Sequence, residues 1–264
     1  MNKLLVFLFF ANFLIQDFSG FNTRGKINEN VDFITTDQLG NVYLIKNNRV
    51  SKYDKSGKFE RSYSNSLSGN ISSVDVSDPL RIMIYFADFN QIVFLDNTLS
   101  ALNEQVMLDD YELEFVTTAC TSTRGGFWVY DRLEEGISYF DKNMERKVQS
   151  LRITGISDFE NHPDFILESD KKIFLAIPEH GIMMFDLFGS KIRTIPLKNI
   201  NNFQVIENQI VYFENKTLVF YDYNLQIKKE LKIPLVQNLY QVRIEGDNIY
   251  LGGPDFCYIV QKID

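Results

Sequence analysis

Five times along this chain an apolar segment closes on an aspartate: Val50–Asp54, Ile92–Asp96, Ile137–Asp141, Ile182–Asp186 and Leu218–Asp222. Successive aspartates lie 42, 45, 45 and 36 residues apart. A period of roughly 40 to 45 residues built from short strands is the mark of a β-propeller, with one four-stranded blade per period. A second segment recurs ahead of the first, at Val42–Ile45, Ile82–Tyr85, Phe127–Tyr130, Ile173–Ala176, Ile210–Phe213 and Ile249–Leu251. These runs are too short for helices and rich in Val, Ile, Phe and Tyr, which reads as strand. They are apolar nearly throughout because a blade is covered on both faces by its neighbours. Six units result. The expected fold class is all-β: a six-bladed propeller of four-stranded antiparallel blades.

The first unit shows the full pattern. Phe33–Thr36 is a strand, and Asp37–Asn41 is a turn with Gly40 where positive φ is cheap. Val42–Ile45, Arg49–Tyr53 and Lys58–Tyr63 supply the remaining strands. The sixth unit has strands at Val242–Ile244, Ile249–Leu251 and Cys257–Val260, one short of four. The segment Asn22–Asn30 has suitable length, and pairing it with the last blade closes the ring and removes exposed edges. Each of the five aspartates starts a turn, where its carboxylate accepts backbone N–H groups two residues on. They are architecture.

Asp37-Gln38-Leu39-Gly40-Asn41-Val42-Tyr43, and Asn48-Arg49-Val50 through Asp54-Lys55-Ser56-Gly57-Lys58-Phe59, resemble the NHL-type propeller repeat. The likeness covers residues 33–63; later units keep the strand spacing and the closing aspartate but lose most glycines. The resemblance implies a six-bladed ring that mainly binds other macromolecules, with lyases and sensor domains among secreted relatives.

The first 20 residues differ in kind from the rest. Lys3 precedes an apolar run from Leu4 to Ile15 interrupted only by Asn12, and Gln16, Asp17, Ser19 and Gly20 follow. This order reads as a secretory signal peptide cleaved near Gly20. The run is shorter than the ~20 residues that span a bilayer, and no cysteine follows it to carry a lipid anchor. The expected organisation is a signal peptide over 1–20 and a single propeller domain over 21–264. A net charge of −8 argues against nucleic acid, whose binding rests on Lys and Arg, and against anionic lipid. Cys120 and Cys257 fall in the third and sixth blades, across the ring. A bridge needs Cα atoms within about 7 Å, so both thiols are expected free and buried.

With strands running from inner to outer, the links between second and third strands share one face with the links between blades. Functional groups concentrate on such loops. The partner-binding candidates there are Asp88, Phe89, Asp109, Asp110, Tyr111, Glu112, Arg132, Glu134, Glu135, Glu179, His180 and Asp255. No catalytic residue and no metal or other cofactor is assigned. His162 and His180 are the two histidines, and neither lies in a ligand-spaced cluster or a nucleophile–base motif. No calcium-loop spacing or phosphate-binding glycine loop is present. The reading is an exported, non-catalytic interaction scaffold of the bacterial cell envelope, periplasmic or secreted. It docks a protein partner, with no nucleic acid and no direct membrane insertion. Membership of an outer-membrane complex is expected by fold-level analogy with the propeller subunit of the outer-membrane barrel assembly machine. The alternative is an extracytoplasmic hydrolase or lyase using a metal or carboxylate pair at the channel mouth. What discriminates the two is whether carboxylates from three or more blades converge at the channel mouth.

Residues 1–20 fused to a reporter should carry it out of the cytoplasm, and the mature protein should lack that segment by mass. Recovery of the full-length mass from the envelope would overturn the signal-peptide reading.

Overall fold

In the computed structural model, which describes residues 18–153 and 162–263, every unit of the repeat is a separate antiparallel four-stranded sheet. Most of the expected signal peptide over 1–20, and most of the link Thr154–Pro163, lie outside the described residues. β1 (Phe21–Ile27) precedes the first blade. Blade 1 is β2 (Phe33–Thr36), β3 (Val42–Lys46), β4 (Arg49–Tyr53) and β5 (Phe59–Ser64). Blade 2 is β6 (Ser73–Asp75), β7 (Ile82–Phe86), β8 (Gln91–Leu95) and β9 (Ala101–Met107). Blade 3 is β10 (Val116–Thr121), β11 (Phe127–Asp131), β12 (Gly136–Phe140) and β13 (Arg146–Gln149). Blade 4 is β14 (Phe165–Ser169), β15 (Lys172–Ile177), β16 (Gly181–Asp186) and β17 (Lys191–Ile195). Blade 5 is β18 (Gln204–Ile206), β19 (Gln209–Glu214), β20 (Thr217–Asp222) and β21 (Ile227–Lys232). Blade 6 is β22 (Gln241–Glu245), β23 (Asn248–Gly253) and β24 (Phe256–Lys262), completed by β1 in the order β1-β24-β23-β22.

The core is divided into layers between blades, because side chains alternate across each strand. In β3, Val42 and Leu44 pack toward blade 6, while Tyr43 and Ile45 pack toward blade 2. In β11, Phe127 and Val129 face blade 2, while Trp128 and Tyr130 face blade 4. β23 divides likewise, with Ile249 and Leu251 toward blade 5 and Tyr250 toward blade 1. Six such layers, each shared by two neighbours, make the ring. Outer strands carry charge instead: Glu60 and Arg61 in β5, and Lys228, Lys229 and Glu230 in β21, which discourages edge-to-edge pairing.

β1 pairs antiparallel with β24 from Phe21↔Lys262 to Ile27↔Cys257, so the closing strand lies slightly upstream of the expected Asn22–Asn30. Its register shifts between Thr23 and Gly25. A Cβ at Gly25 would collide with the backbone oxygen of Ser56, in the last turn of blade 1. The glycine thus lets the closing strand lie against its neighbouring blade. Cys120 in β10 and Cys257 in β24 are free and buried in opposite blades, and burial pushes the Cys257 thiol up to about 12.

The five aspartates act as expected. Asp54 Oδ1 accepts from the N–H groups of Ser56 (2.8 Å) and Lys58 (3.0 Å), and Asp96 Oδ1 from Thr98 (2.7 Å) and Ser100 (3.0 Å). Asp141 and Asp186 repeat this with Asn143 and Glu145, and with Phe188 and Ser190, while Asp222 takes Asn224 and Leu225. Each of the first four turns has its left-handed residue three positions after the aspartate: Gly57, Leu99, Met144 and Gly189.

Gly25→Ala should destabilise the protein by roughly 1–3 kcal/mol, the usual cost of overpacking, and deletion of Phe21–Ile27 by more, read from thermal melts. An unchanged melting temperature in either would contradict closure by β1. Hydrogen bonds from Thr98 hold Asp96, and the Glu145 N–H holds Asp141, below the ordinary carboxylate value of 3.8. A lowered folded-state pKa contributes stability above that value and loses it as pH falls through the folded pKa. Asp96→Asn with Asp141→Asn should therefore flatten the fall of melting temperature below about pH 4.

Candidate functional site

Two regions gather functional side chains: the loop-rich face and the central channel. On the face, the link β7–β8 forms a short 3-10 turn, Ala87–Phe89, ended by Asn90 in the left-handed region (φ 48°). The link β9–β10 opens with a second such turn, Leu108–Tyr111, ended by Glu112 (φ 62°). Asn90 clamps the two together. Its Nδ2 donates to Asp109 Oδ1 (2.5 Å) and to the Leu113 carbonyl, and its own carbonyl accepts the Leu108 N–H (2.9 Å). Asp88 and Phe89 thereby stand with Asp109, Asp110, Tyr111 and Glu112, and Tyr111 sets its ring edge-on to Phe140 of blade 3 at 6.0 Å.

Asp131 makes the next join. Its buried carboxylate accepts the N–H of Phe115 (3.1 Å) through Oδ2, and those of Leu133 (2.8 Å) and Glu134 (3.0 Å) through Oδ1. The Arg132 N–H donates back to the Phe115 carbonyl (3.0 Å). One hydrogen-bonded surface therefore runs across blades 2 and 3 from Asp88 to Glu135. Glu134 and Glu135 contribute little free charge to it. Glu134 pairs with Arg146 at 2.6 Å, and Glu135 accepts from Nε and Nη2 of Arg152, which hold its carboxyl below the usual range. Glu179 and His180 stand apart on blade 4, where Glu179 exchanges two hydrogen bonds with Asn199. Asp255 is on blade 6. Among the acids stand exposed apolar side chains, with Leu67, Phe89, Phe115, Leu133 and Leu151 open to solvent by half or more.

None of the sequence-derived candidates lines the central channel. This cavity, about 430 Å³, is walled by the inner strands and their ends. Asp37, Asp75, Asp78, Glu168, Asp170 and Glu245 reach it from blades 1, 2, 4 and 6. These six stand toward the face opposite the loop-rich one, because each lies at the far end of its inner strand or in the turn beyond; a seventh, Asp164, lines the channel on the loop-rich side, just before β14. Carboxylates from more than three blades thus surround the space. Among the described residues, however, no three acid, His or Cys side chains come close enough to hold a metal ion.

Most of these acids bind their own chain. Asp37 accepts from Leu39, Asn41 and the Tyr43 hydroxyl (2.8 Å). Asp75 takes the N–H (2.8 Å) and hydroxyl (2.9 Å) of Thr121, across the gap to blade 3. Glu168 reaches from blade 4 to the Thr123 N–H (3.1 Å) and the Trp128 indole N–H (2.7 Å). Two glutamines do the same with neutral groups. Gln204 exchanges both amide hydrogen bonds, each 2.9 Å, with the backbone of Ile244, and Gln241 does so with Ile34 at 2.8 and 2.9 Å.

The sequence reading missed Asn90, Asp131 and the two glutamines. The signal for the last was present: Gln204-Val205 and Gln241-Val242 open the inner strands of successive units.

Glutamine-to-leucine substitution at position 241 should leave the Ile34 N–H and C=O unmet, costing about 1–3 kcal/mol. Asp131→Ala should destabilise by a similar amount and free the link before blade 3, detectable as faster amide exchange at residues 113–116.

Neither a family model nor a curated protein matches the chain. Solved structures share the architecture at low identity. The Pan2 WD40 domain of Neurospora crassa superposes with a TM-score of 0.67 at 8% identity, covering 95% of this chain and 98% of that one. Virginiamycin B lyase from Staphylococcus aureus gives 0.60 at 14% identity, covering 92% and 100%. A variant of that lyase with a histidine replaced by alanine is catalytically inactive. BamB from Moraxella catarrhalis gives 0.56 at 11% identity, covering 91% and 99%. These likenesses establish the propeller. Among the described residues no helix is long and apolar enough to cross a membrane.

Proposed function

We propose that this chain is an exported, non-catalytic interaction scaffold of the bacterial cell envelope, docking a protein partner on the loop-rich face of blades 2 and 3. The observation that carries this reading is the joined surface organised by Asn90 and Asp131. It presents Phe89, Phe115 and Leu133 between Asp88, Asp110, Glu112 and Glu114. Interfaces combine an apolar centre with a polar rim, and apolar patches on soluble proteins mark interaction sites. Since Glu134 and Glu135 are engaged internally, the steering charge falls to Asp110, Glu112 and Glu114, and the partner's rim is basic. The opposite face also exposes Leu39, Leu80, Phe188 and Leu225, but they sit on separate turns of blades 1, 2, 4 and 5.

Export rests on the first 20 residues. Cleavage at Gly20 would leave β1 whole, since it starts at Phe21. The likeness of residues 33–63 to NHL-type repeats fits a macromolecule-binding ring, and membership of an outer-membrane complex stays within this proposal. A lyase reading draws on the neighbouring lyase fold. Carboxylates from four blades do reach the channel, but it is the weaker reading, because Asp37, Asp75 and Glu168 are filled by donors of their own chain and no three acid, His or Cys side chains among the described residues come close enough to hold a metal ion.

Charge reversal at Asp110, Glu112 and Glu114 together with Phe89→Ser should slow association with the partner by about tenfold or more at low salt. The melting temperature should be little changed, because these positions are exposed. Reversal at Lys55 and Lys142, on turns of the opposite face, should leave binding intact. The measurement is co-purification from the native envelope followed by surface-immobilised kinetics. Retention of the partner by the acidic-face variant with loss in the lysine control would overturn the choice of face.

A further inference from the structure

The central channel holds two groups, Arg243 and Glu245, that feel each other's charge but make no ion-pair contact with each other or with any other described residue. Arg243 projects from β22 of blade 6. Its Nε donates to Thr36 Oγ1 at 3.2 Å, and its Nη1 lies 3.5 Å from Asn202 Oδ1; both acceptors are neutral. It forms no ion pair with any described residue. Glu245, two positions on, shares its side of the strand and accepts no hydrogen bond from a described residue. This sets the pair apart from Asp37, Asp75 and Glu168, whose oxygens are filled by donors of the same chain.

A charge taken from water is costly unless it is paired. Desolvation pushes Arg243 down to about 10 and raises the Glu245 carboxyl. Burial outweighs the attraction between the two groups, and that of Asp75 for Arg243, so each still gains by meeting an opposite charge at contact distance. Access exists. A second cavity, about 290 Å³, lies between blades 5 and 6 and shares Asn201, Asn202, Phe203, Gln204 and Arg243 with the channel. Its lining continues to Asn199 and Tyr240, in links on the loop-rich face. The guanidinium therefore stands where the two spaces meet. The channel volume falls within the ~300–1,000 Å³ common for small-molecule sites.

We propose that the channel binds a small zwitterion, a free amino acid or close analogue, with its carboxylate on Arg243 and its ammonium on Glu245. A plain anion would meet Glu245 and Asp75 beside the arginine, and a plain cation would meet the guanidinium. A molecule carrying both charges satisfies both groups. This site is distinct from the docking surface of blades 2 and 3 and does not depend on it.

The test uses the mature protein, thermal shift and isothermal titration. The probes are the twenty free amino acids singly, with acetate and ethylammonium as single-charge controls. At least one amino acid should raise the melting temperature and bind with a submillimolar Kd, while acetate and ethylammonium at the same concentration do neither. Arg243→Met and Glu245→Gln should each weaken binding at least tenfold. The ligand-free melting temperature of Arg243→Met should equal or exceed that of the parent, because a desolvated charge with no ion-pair contact has been removed; an arginine with a purely structural role would lower it. Should Arg243→Met fail to fold, Glu245→Gln still decides the matter, through loss or retention of binding. No response to any amino acid, an equal response to acetate, or undiminished binding in Glu245→Gln would overturn the proposal.

Discussion

The inner strand of every blade faces the channel with one edge that no further strand can cover. A buried row of unpaired N–H and C=O groups is among the most destabilising features a fold can carry. Here the neighbouring blade answers it with side chains. The Gln241 amide takes both the N–H and the C=O of Ile34, and Gln204 does the same for Ile244. Each glutamine behaves as a detached peptide group, adding one rung of a ladder where no strand exists. Asp75 and Glu168 serve the seams on either side of blade 3 with charged oxygens. The apolar layers press blades together without direction, whereas these polar contacts fix how far one blade turns against the next.

The same arrangement explains how much of the molecule could be read from sequence. The closing aspartates were legible because each turn repeats one local geometry, a carboxylate capping nearby N–H groups before a left-handed residue. The second strands were legible because burial on both faces removes polar positions from them. β1 could be assigned by subtraction, since the sixth unit lacked a strand, and Gly25 proved to mark the bulge that lets it fit.

The candidate face was legible as a set of loops but not as a surface. Nothing in a linear reading says that Asn90 would hold Asp109, or that Asp131 would gather Phe115, Leu133 and Glu134, since these contacts join residues 2 to 23 positions apart by way of the blade geometry. Nor could the sequence separate the acids by their partners. Glu134 and Glu135 looked equivalent to Asp110 and Glu112 until Arg146 and Arg152 were seen to claim them. The channel escaped notice for a related reason: its lining comes one or two residues at a time from segments dispersed over the whole chain.

The seam between β1 and β24 has a consequence for how the molecule is made. Phe21 and Lys262, its first pair, stand at nearly opposite ends of the polypeptide. Contacts of such long sequence separation form late and slow folding. β1 must therefore wait, unpaired, until β24 has been made. Blades 1 to 5 can assemble from local hairpins during that interval, but the circle stays open until β24 is in place. A chain in that condition is vulnerable to pairing with a second copy of itself while it waits.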